Sequence, residues 1–252
     1  MTAPSLTSRL VPNTIHLRPT APLAERVLLP GDPGRALLLA QALLEGPRMF
    51  NHNRGLWGYT GQAVDGKPLS IQSTGMGGPS AAIVITELLA LGAKRLLRVG
   101  TCGGLEDSLA LGELLIASAA ISDDGTSRAL SDGEHVLPAS PAMLDALLGA
   151  AGGEARAGYV VTTDLFYDGP PGSERRWLAD GALAVEMETA TLFALAARHG
   201  FEAGSLLIVS DLLVPSRRRI DEDRLRSAEH RLGELAVRAL GLAAAHPEPE
   251  AA

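Results

Sequence analysis

Short apolar runs alternate along this chain with longer segments of helical composition. Arg95–Val99 and Glu113–Ala120 are almost continuously apolar, which is typical of strands buried on both faces of a sheet. Further strands are predicted at Arg26–Leu29, Leu56–Ala63, Pro68–Ser73, Ala157–Thr163, Leu183–Val185 and Gly204–Ser210. Because these strands alternate with helices, without a repeat or a low-complexity break, the pattern predicts one α/β domain over residues 1–252.

Helices are predicted between the strands, and the first has a clear start signal. Asp32 is expected to be its N-cap, with Pro33 at the first helical position. The predicted helices are Arg35–Leu44, Ser80–Leu91, Ala142–Gly153, Arg175–Gly181, Glu188–His199 and roughly Leu225–Ala244. Asp65-Gly66 predicts a hairpin between two strands.

The remaining segments are predicted to be irregular. Gly46-Pro47 is expected to end the first helix, and the polar segment Asp123–Pro141 to be a loop. Residues 1–14 are predicted to be a polar, irregular arm, and residues 246–252 a frayed tail.

Composition narrows the class of protein. The chain has 252 residues, of which 46% are hydrophobic and 20% charged, so it can bury a substantial core and is not disordered. Its 22 basic and 29 acidic residues give a net charge of −7, which argues against general nucleic-acid binding. No apolar run reaches the ~20 residues of a membrane span, and Met1–Arg9 has no long apolar stretch behind it. We therefore expect a cytoplasmic protein without a membrane partner.

Glycine and arginine residues follow several predicted strands, where ligands bind in open α/β sheets. The segments are Gly31–Arg35, Gly75–Gly78 and Arg98–Gly104. Glycine turns expose backbone N–H groups to anions, and Arg35 and Arg98 could bind phosphate oxygens. The alternative is that the glycines only make turns and that Arg98 is a salt-bridged strand residue. Neither a phosphate-binding P-loop motif nor a dinucleotide fingerprint is present.

Carboxylates mark two further strand ends. Glu188 follows Glu186 and Met187 just before a predicted helix, so it either caps that helix or accepts hydrogen bonds from a vicinal diol such as a ribose. Asp211, after Ser210, either caps the following segment or exchanges a proton with a ligand. The second role requires a pKa above the usual ~3.9.

Other candidate residues have a structural alternative. Phe166 and Tyr167 could stack on a ring or simply pack, and Arg217–Arg219 could be a solvated surface. The single cysteine, Cys102, excludes an internal disulfide and a four-cysteine zinc site, and its lack of a His/Asn partner pattern favours a small buried hydrophobe. His16 and His52 lack metal-ligand spacing, so no metal site is predicted.

Taken together and in order, these segments resemble the hexameric, bacterial-type purine nucleoside phosphorylases, in a family that also contains uridine phosphorylase. The resemblance runs from about Ile15 to the final helix. Its segments are Val27–Arg35, Asn53–Gly55, Gly75–Gly77, Arg98–Gly103, Asp164–Tyr167, Val185–Glu188 and Ser210-Asp211. It implies a three-layer α/β/α fold with a central mixed, partly barrel-like sheet, assembled as a homohexamer of three dimers.

The resemblance also implies a role for each site residue. The phosphate-binding residues would be Gly31, Arg35, Arg98 and Thr101, with Arg54 from a neighbouring subunit. The ribose would be held by Met76, Met187 and Glu188, with His16 from the neighbour. The base would contact Cys102, Gly103, Phe166, Val185, Glu186, Ser210 and Asp211.

The implied reaction is reversible phosphorolysis of a purine nucleoside to the free base and ribose 1-phosphate. Asp211 would give a proton to purine N7, assisted by an arginine about a dozen residues on. Arg224 fits this spacing best, and Arg217–Arg219 compete. Inorganic phosphate is the co-substrate, and no metal or organic cofactor is needed. Leu212 stands where the family's purine enzymes often have His, so the preference between 6-amino and 6-oxo purines stays open.

Three alternatives have other predicted signatures. A uridine phosphorylase would need a Gln/Arg pair after Phe166-Tyr167, and no Gln occurs in residues 168–175. A nucleosidase that uses water would not need Arg35, Arg54 and Arg98 together. A non-catalytic nucleoside-binding relative would not need Asp211, Glu188 and all three arginines.

Overall fold

The computed structural model describes residues 14–167 and 169–242. Nearly all of the predicted arm (residues 1–13) and the predicted tail (246–252) lie outside the described residues. The strands are β1 (Arg26–Leu29), β2 (Leu44–Asn51), β3 (Gly58–Ala63), β4 (Pro68–Gln72), β5 (Arg95–Gly104), β6 (Leu114–Asp123), β7 (Val136–Pro138), β8 (Ala155–Thr163), β9 (Ala182–Glu186), β10 (Glu202–Leu212) and β11 (Arg218–Arg219). The helices are α1 (Pro33–Leu43), α2 (Gly78–Ala90), α3 (Gly125–Leu130), α4 (Pro141–Ala151), α5 (Ser173–Ala179), α6 (Thr189–His199) and α7 (Glu222–Leu242).

The strands form one mixed sheet, part of which closes on itself. The ring runs β5–β10–β6–β8–β9 and returns to β5. From β5 the sheet continues through β1, β4 and β3 to β2. This arrangement confirms the expected partly barrel-like sheet.

Helices cover both sides of the sheet. One apolar cluster includes buried residues of α2 and α6, such as Ile85 and Phe193. A second includes buried residues of α1, α4 and α7, such as Leu39, Leu147 and Leu235. Two separate cores enclosing a sheet are the three-layer arrangement that was predicted.

The structure departs from the predicted elements in three places. β5 continues through the glycine segment that was expected to end it, because Gly103 and Gly104 pair with both β10 and β9. α1 ends at Leu43 and the chain enters β2 directly, so Gly46-Pro47 lies within a strand whose middle is exposed. The predicted loop Asp123–Pro141 contains α3 and β7, which are too short to show a periodic pattern.

Candidate active site

Arg98 lies in β5 and is the centre of a buried ion-pair cluster. Its Nε donates to Glu186 Oε2 at 2.8 Å, and its Nη2 lies 2.6 Å from Glu188 Oε2. The side chain crosses Gly100, where a Cβ atom would come within 2.7 Å of Arg98 Nη2. The glycine at this position therefore makes room for the arginine, which is only 5% exposed.

Glu188 precedes α6 and connects Arg98 to the Met76 turn. Its Oε1 accepts from the N–H of Gly77 at 2.5 Å, and the adjacent Met76 side chain is exposed. Burial raises the pKa of the Glu188 carboxyl and the Glu186 charge adds to the rise, whereas Arg98 opposes it. Met187 lies between the two glutamates and is half-buried. The predicted ribose residues Met76, Met187 and Glu188 thus lie together beside Arg98.

The Glu186 carboxylate contacts groups that hold the fold together. Its carboxylate accepts from Thr162 Oγ1 at 2.5 Å and from the backbone N–H groups of Glu188 and Thr189 at 2.9 Å. These contacts stabilise the start of α6, where N–H groups lack helical partners. Since its side chain is fully buried, the carboxylate holds Arg98 and α6 and faces no open space toward a base.

Arg35 approaches the same cluster from α1. It is 9% exposed, and its Nε donates to Glu229 Oε1 of α7 at 2.7 Å. Its charge lowers the pKa of Glu188, and it follows β1, whose Leu29 pairs with Arg98 in the sheet. The preceding Gly31 carbonyl accepts from the N–H of Gly75 at 3.0 Å. The two glycine turns and the two arginines therefore converge.

Two other predicted residues extend from this cluster along the sheet. Thr101 is half-buried in β5, three residues after Arg98. Val185 of β9 is also half-buried and pairs with Gly103 of β5. These pairings bring the phosphate residues and part of the predicted base site to the same end of β5.

Asp211 lies near the end of β10, beyond an irregularity in its pairing with β5. The register shifts between Val209 and Asp211, so Ser210 is the extra residue of a bulge, a feature that redirects side chains. Ser210 Oγ lies 2.9 Å from Asp211 Oδ2 and 3.3 Å from the Cys102 carbonyl. Since Asp211 pairs with Gly103, the predicted base residues of β5 and β10 are neighbours.

Arg217, on the connection after β10, contacts both Asp211 and Phe166. Its Nε lies 3.3 Å from Asp211 Oδ1, and its Cζ lies 4.9 Å from the centre of the Phe166 ring. Phe166 packs edge-to-face on Tyr167, with 4.8 Å between ring centres. Arg224 instead donates to the Leu111 carbonyl at 3.1 Å. The structure therefore brings Arg217, and not Arg224, to Asp211.

Cys102 is buried in β5, and its thiol lies 3.5 Å from the Ile208 carbonyl. Burial raises the pKa of this thiol, which disfavours the nucleophilic thiolate form.

Within residues 14–167 and 169–242, no group of three His, Cys, Asp or Glu could hold a metal ion. Over the same residues, no helix is both long and apolar enough to cross a bilayer.

His16 and Arg54 share a second patch. His16 Nδ1 lies 2.8 Å from Glu87 Oε1, and the His16 carbonyl accepts from Asn53 Nδ2 at 2.9 Å. Arg54 follows Asn53 in an exposed 3-10 turn and has a φ of 59°. Among the described residues, no hydrogen bond or ion pair links this patch to Arg35, Arg98 or Glu188.

Sequence reasoning missed two buried glutamates, Glu87 and Glu229. Each occupies a buried position of an amphipathic helix, and each binds a predicted site residue or its backbone. The available signal was a carboxylate at a position that helical periodicity assigns to the core.

Comparisons with known proteins identify the family of the chain. Residues 25–241 match the model of the phosphorylase superfamily. A purine nucleoside phosphorylase DeoD-type of Caldanaerobacter subterraneus subsp. tengcongensis is 42% identical over 210 residues, covering 81% of this chain and 90% of the relative. Relatives of the same name from Clostridium perfringens (80% and 88% covered) and Geobacillus kaustophilus (81% and 88% covered) are each 40% identical.

The family match covers residues 25–241, a range that includes Arg35, Arg98, Glu188 and Asp211. The chain belongs to the phosphorylase superfamily, in which it groups with the bacterial-type purine nucleoside phosphorylases.

Proposed function

We propose that this protein is a purine nucleoside phosphorylase, a pentosyltransferase that converts a purine nucleoside and phosphate reversibly into the free base and ribose 1-phosphate. The observation that carries the proposal is the buried ion pair of Arg98 with Glu188, a carboxylate suited to a ribose diol, beside the strand that leads to Arg35. The names of the relatives from three bacteria support it.

The arginine end of the site binds and orients the nucleophile. Cleavage of the glycosidic bond builds positive charge on the sugar, and a phosphate held by Arg35 and Arg98 stabilises that charge and attacks the anomeric carbon. Glu188 accepts hydrogen bonds from the ribose 2′ and 3′ hydroxyls, next to Met76 and Met187. Orientation and fixed charges of this kind lower the barrier without a chemical step by the protein itself.

The Asp211 end of the site receives the departing base. Negative charge develops on the purine as the bond breaks, and protonated Asp211 neutralises it by donating its proton to N7. Positioned proton transfer typically contributes ~10²–10⁴-fold. Ser210 supports this role through its contact with Asp211 Oδ2, and Phe166 supplies an aromatic face for the base.

The assembly is also part of the proposal. Arg54 and His16 serve the site of a neighbouring subunit, within a homohexamer built from three dimers in the cytoplasm. The support is their joint position on one patch without a contact to Arg98 in the described chain. Phosphate is the co-substrate, and the reaction requires neither a metal nor an organic cofactor.

Phosphate dependence tests the proposal against its alternatives. We expect inosine or adenosine turnover to require phosphate and to release ribose 1-phosphate, with little uridine turnover. Equal cleavage rates without phosphate would identify a nucleosidase instead. Preferred uridine turnover would identify a uridine phosphorylase, and tight inosine binding without turnover would identify a binding protein.

A further inference from the structure

The two buried arginines of the site are held in the same way. The Nε of Arg98 donates to Glu186 at 2.8 Å, and the Nε of Arg35 donates to Glu229 at 2.7 Å. In each pair both side chains are about nine-tenths buried or more. In each pair, a glutamate therefore accepts a hydrogen bond from the Nε of the guanidinium.

The Arg35 pair uses only the Nε of its guanidinium. Among the described residues, the hydrogen bond to Glu229 is the only one that the Arg35 side chain makes. An arginine has five N–H donors in a planar fork, so four remain for an oxyanion. Because the Nε contact fixes the plane of the group, it also fixes the direction of these four donors.

Glu229 has no second structural task in this part of the chain. Within residues 14–167 and 169–242, the only hydrogen-bond partner of the Glu229 side chain is Arg35. The Glu186 carboxylate, in contrast, also accepts from the N–H groups at the start of α6. The contact spans 194 positions of sequence and joins α7 to the first turn of α1. Substitution of Glu229 therefore tests how a glutamate positions its arginine, whereas substitution of Glu186 would also disturb the start of α6.

We infer that Glu229 is a positioning residue for phosphate: it holds Arg35 by Nε so that the other guanidinium N–H groups face the anion. The inference rests on the proposed function, since it assumes that Arg35 binds phosphate. It assigns Glu229 an effect on phosphate and none on the nucleoside, because its contact is with Arg35 alone.

The test compares three variants by steady-state kinetics with inosine and inorganic phosphate. Glu229→Ala removes the acceptor, and we expect the KM for phosphate to rise about tenfold, as for loss of one charge-assisted hydrogen bond. The KM for inosine and the kcat at saturating phosphate should stay within about twofold. Glu229→Gln keeps an oxygen that accepts from Nε, so its phosphate KM should stay within about threefold of the wild type. Glu234→Ala, on an exposed position of α7, is the matched control and should change neither constant.

Several results would overturn the inference. One is an unchanged KM for phosphate in Glu229→Ala, and another is an equal rise of its KM values for phosphate and inosine. A third is a lower KM for phosphate in Glu229→Gln, which would show that the carboxylate competes with phosphate. If Glu229→Ala does not fold, Glu229→Asp, which withdraws the carboxylate from Arg35, takes its place with the same expected selectivity. If turnover by the wild-type enzyme does not depend on phosphate, the proposed function itself is refuted. If turnover depends on phosphate but the Glu229 variants have the wild-type KM for phosphate, only this inference is refuted.

Discussion

The two ends of the site differ in how firmly the fold holds them. At the arginine end, Arg98 is 5% exposed and bonded to two buried glutamates. At the Asp211 end, the Arg217 side chain is 46% exposed and Phe166 is 54% exposed. In the proposed reaction the phosphate, which is the same in every turnover, would meet firmly held charges. The base, whose ring substituents differ among nucleosides, would meet more exposed side chains.

The largest expected effect comes from breaking the firmly held end. Arg98→Ala leaves Glu186 and Glu188 buried without a counter-charge, and loss of one partner from a buried pair typically costs about 3–5 kcal/mol. We expect the free energy of unfolding to fall by roughly this amount, together with loss of phosphate-dependent turnover. Urea denaturation at fixed protein concentration measures the first effect. Arg48→Ala, at an exposed position of β2, is the control, and an equal loss in both variants would contradict the account.

Arg54, which is exposed, should contribute to phosphate binding in the site of a neighbouring subunit. Arg54→Ala should raise the phosphate KM about tenfold, the size expected for one charge-assisted hydrogen bond, without a change in folding stability. His52→Ala, two residues away and exposed, is the control for the turn.

Subunit mixing tests whether Arg54 acts across subunits. Oligomers that combine Arg54→Ala with Asp211→Asn subunits should recover activity at low phosphate that neither variant has alone, because some sites then contain both native residues. No recovery in verified mixed oligomers would place Arg54 in its own subunit's site.

The loosely held end should respond more weakly. Arg217→Gln removes a half-exposed ion pair, and such pairs are worth roughly 0.2–1 kcal/mol. We therefore expect kcat/KM for the nucleoside to fall about two- to fivefold. Arg224→Gln should change less, because Arg224 bonds to the Leu111 carbonyl. The reverse order would show that Arg224 is the arginine that assists Asp211.

The smallest expected effect concerns the segment that carries His16. Burial alone would raise the pKa of Glu87, but the N–H groups of Leu17 and His16 and the His16 ring lower it below the usual 4.5. A lowered pKa means that this contact stabilises the charged form. Its contribution is complete above pH 4.5 and declines as the pH falls through the value in the folded protein.

Acid should therefore loosen residues 15–17. We expect amide exchange of Leu17, after correction for the intrinsic rate, to be constant from pH 7 to 4.5 and to become faster as the pH falls further. Glu87→Gln should remove most of this pH dependence. Protection of Leu17 that does not vary with pH in the wild type would contradict this reading of the contact.

The sequence predicted the firmly held end better than the other. Arg98 lies in a strand that its apolar run marks clearly, and Gly77 and Glu188 precede helices that glycine turns and apolar periodicity indicate. Their convergence follows from how parallel strands align. Arg217 follows an irregular connection after β10, where no periodicity constrains position, and spacing alone favoured Arg224.

Two other features depend on contacts that no local pattern shows. The bond from Glu229 to Arg35 joins residues 194 positions apart, which only the packed structure brings together. β2 was missed because its exposed middle residues show no alternation and include Pro47, which is unfavourable in strands. By contrast, β1, β3, β4 and β10 were predicted closely because their residues are mostly apolar or bounded by clear turns.

The most direct test of the division between the two ends is the phosphate dissociation constant of Asp211→Asn, determined by calorimetry beside its turnover of adenosine. The account predicts a dissociation constant within about twofold of the wild type, while turnover falls by ~10²–10⁴-fold. Unchanged adenosine turnover would remove Asp211 from the reaction. Phosphate binding weakened as much as turnover would show that the two ends are not separate.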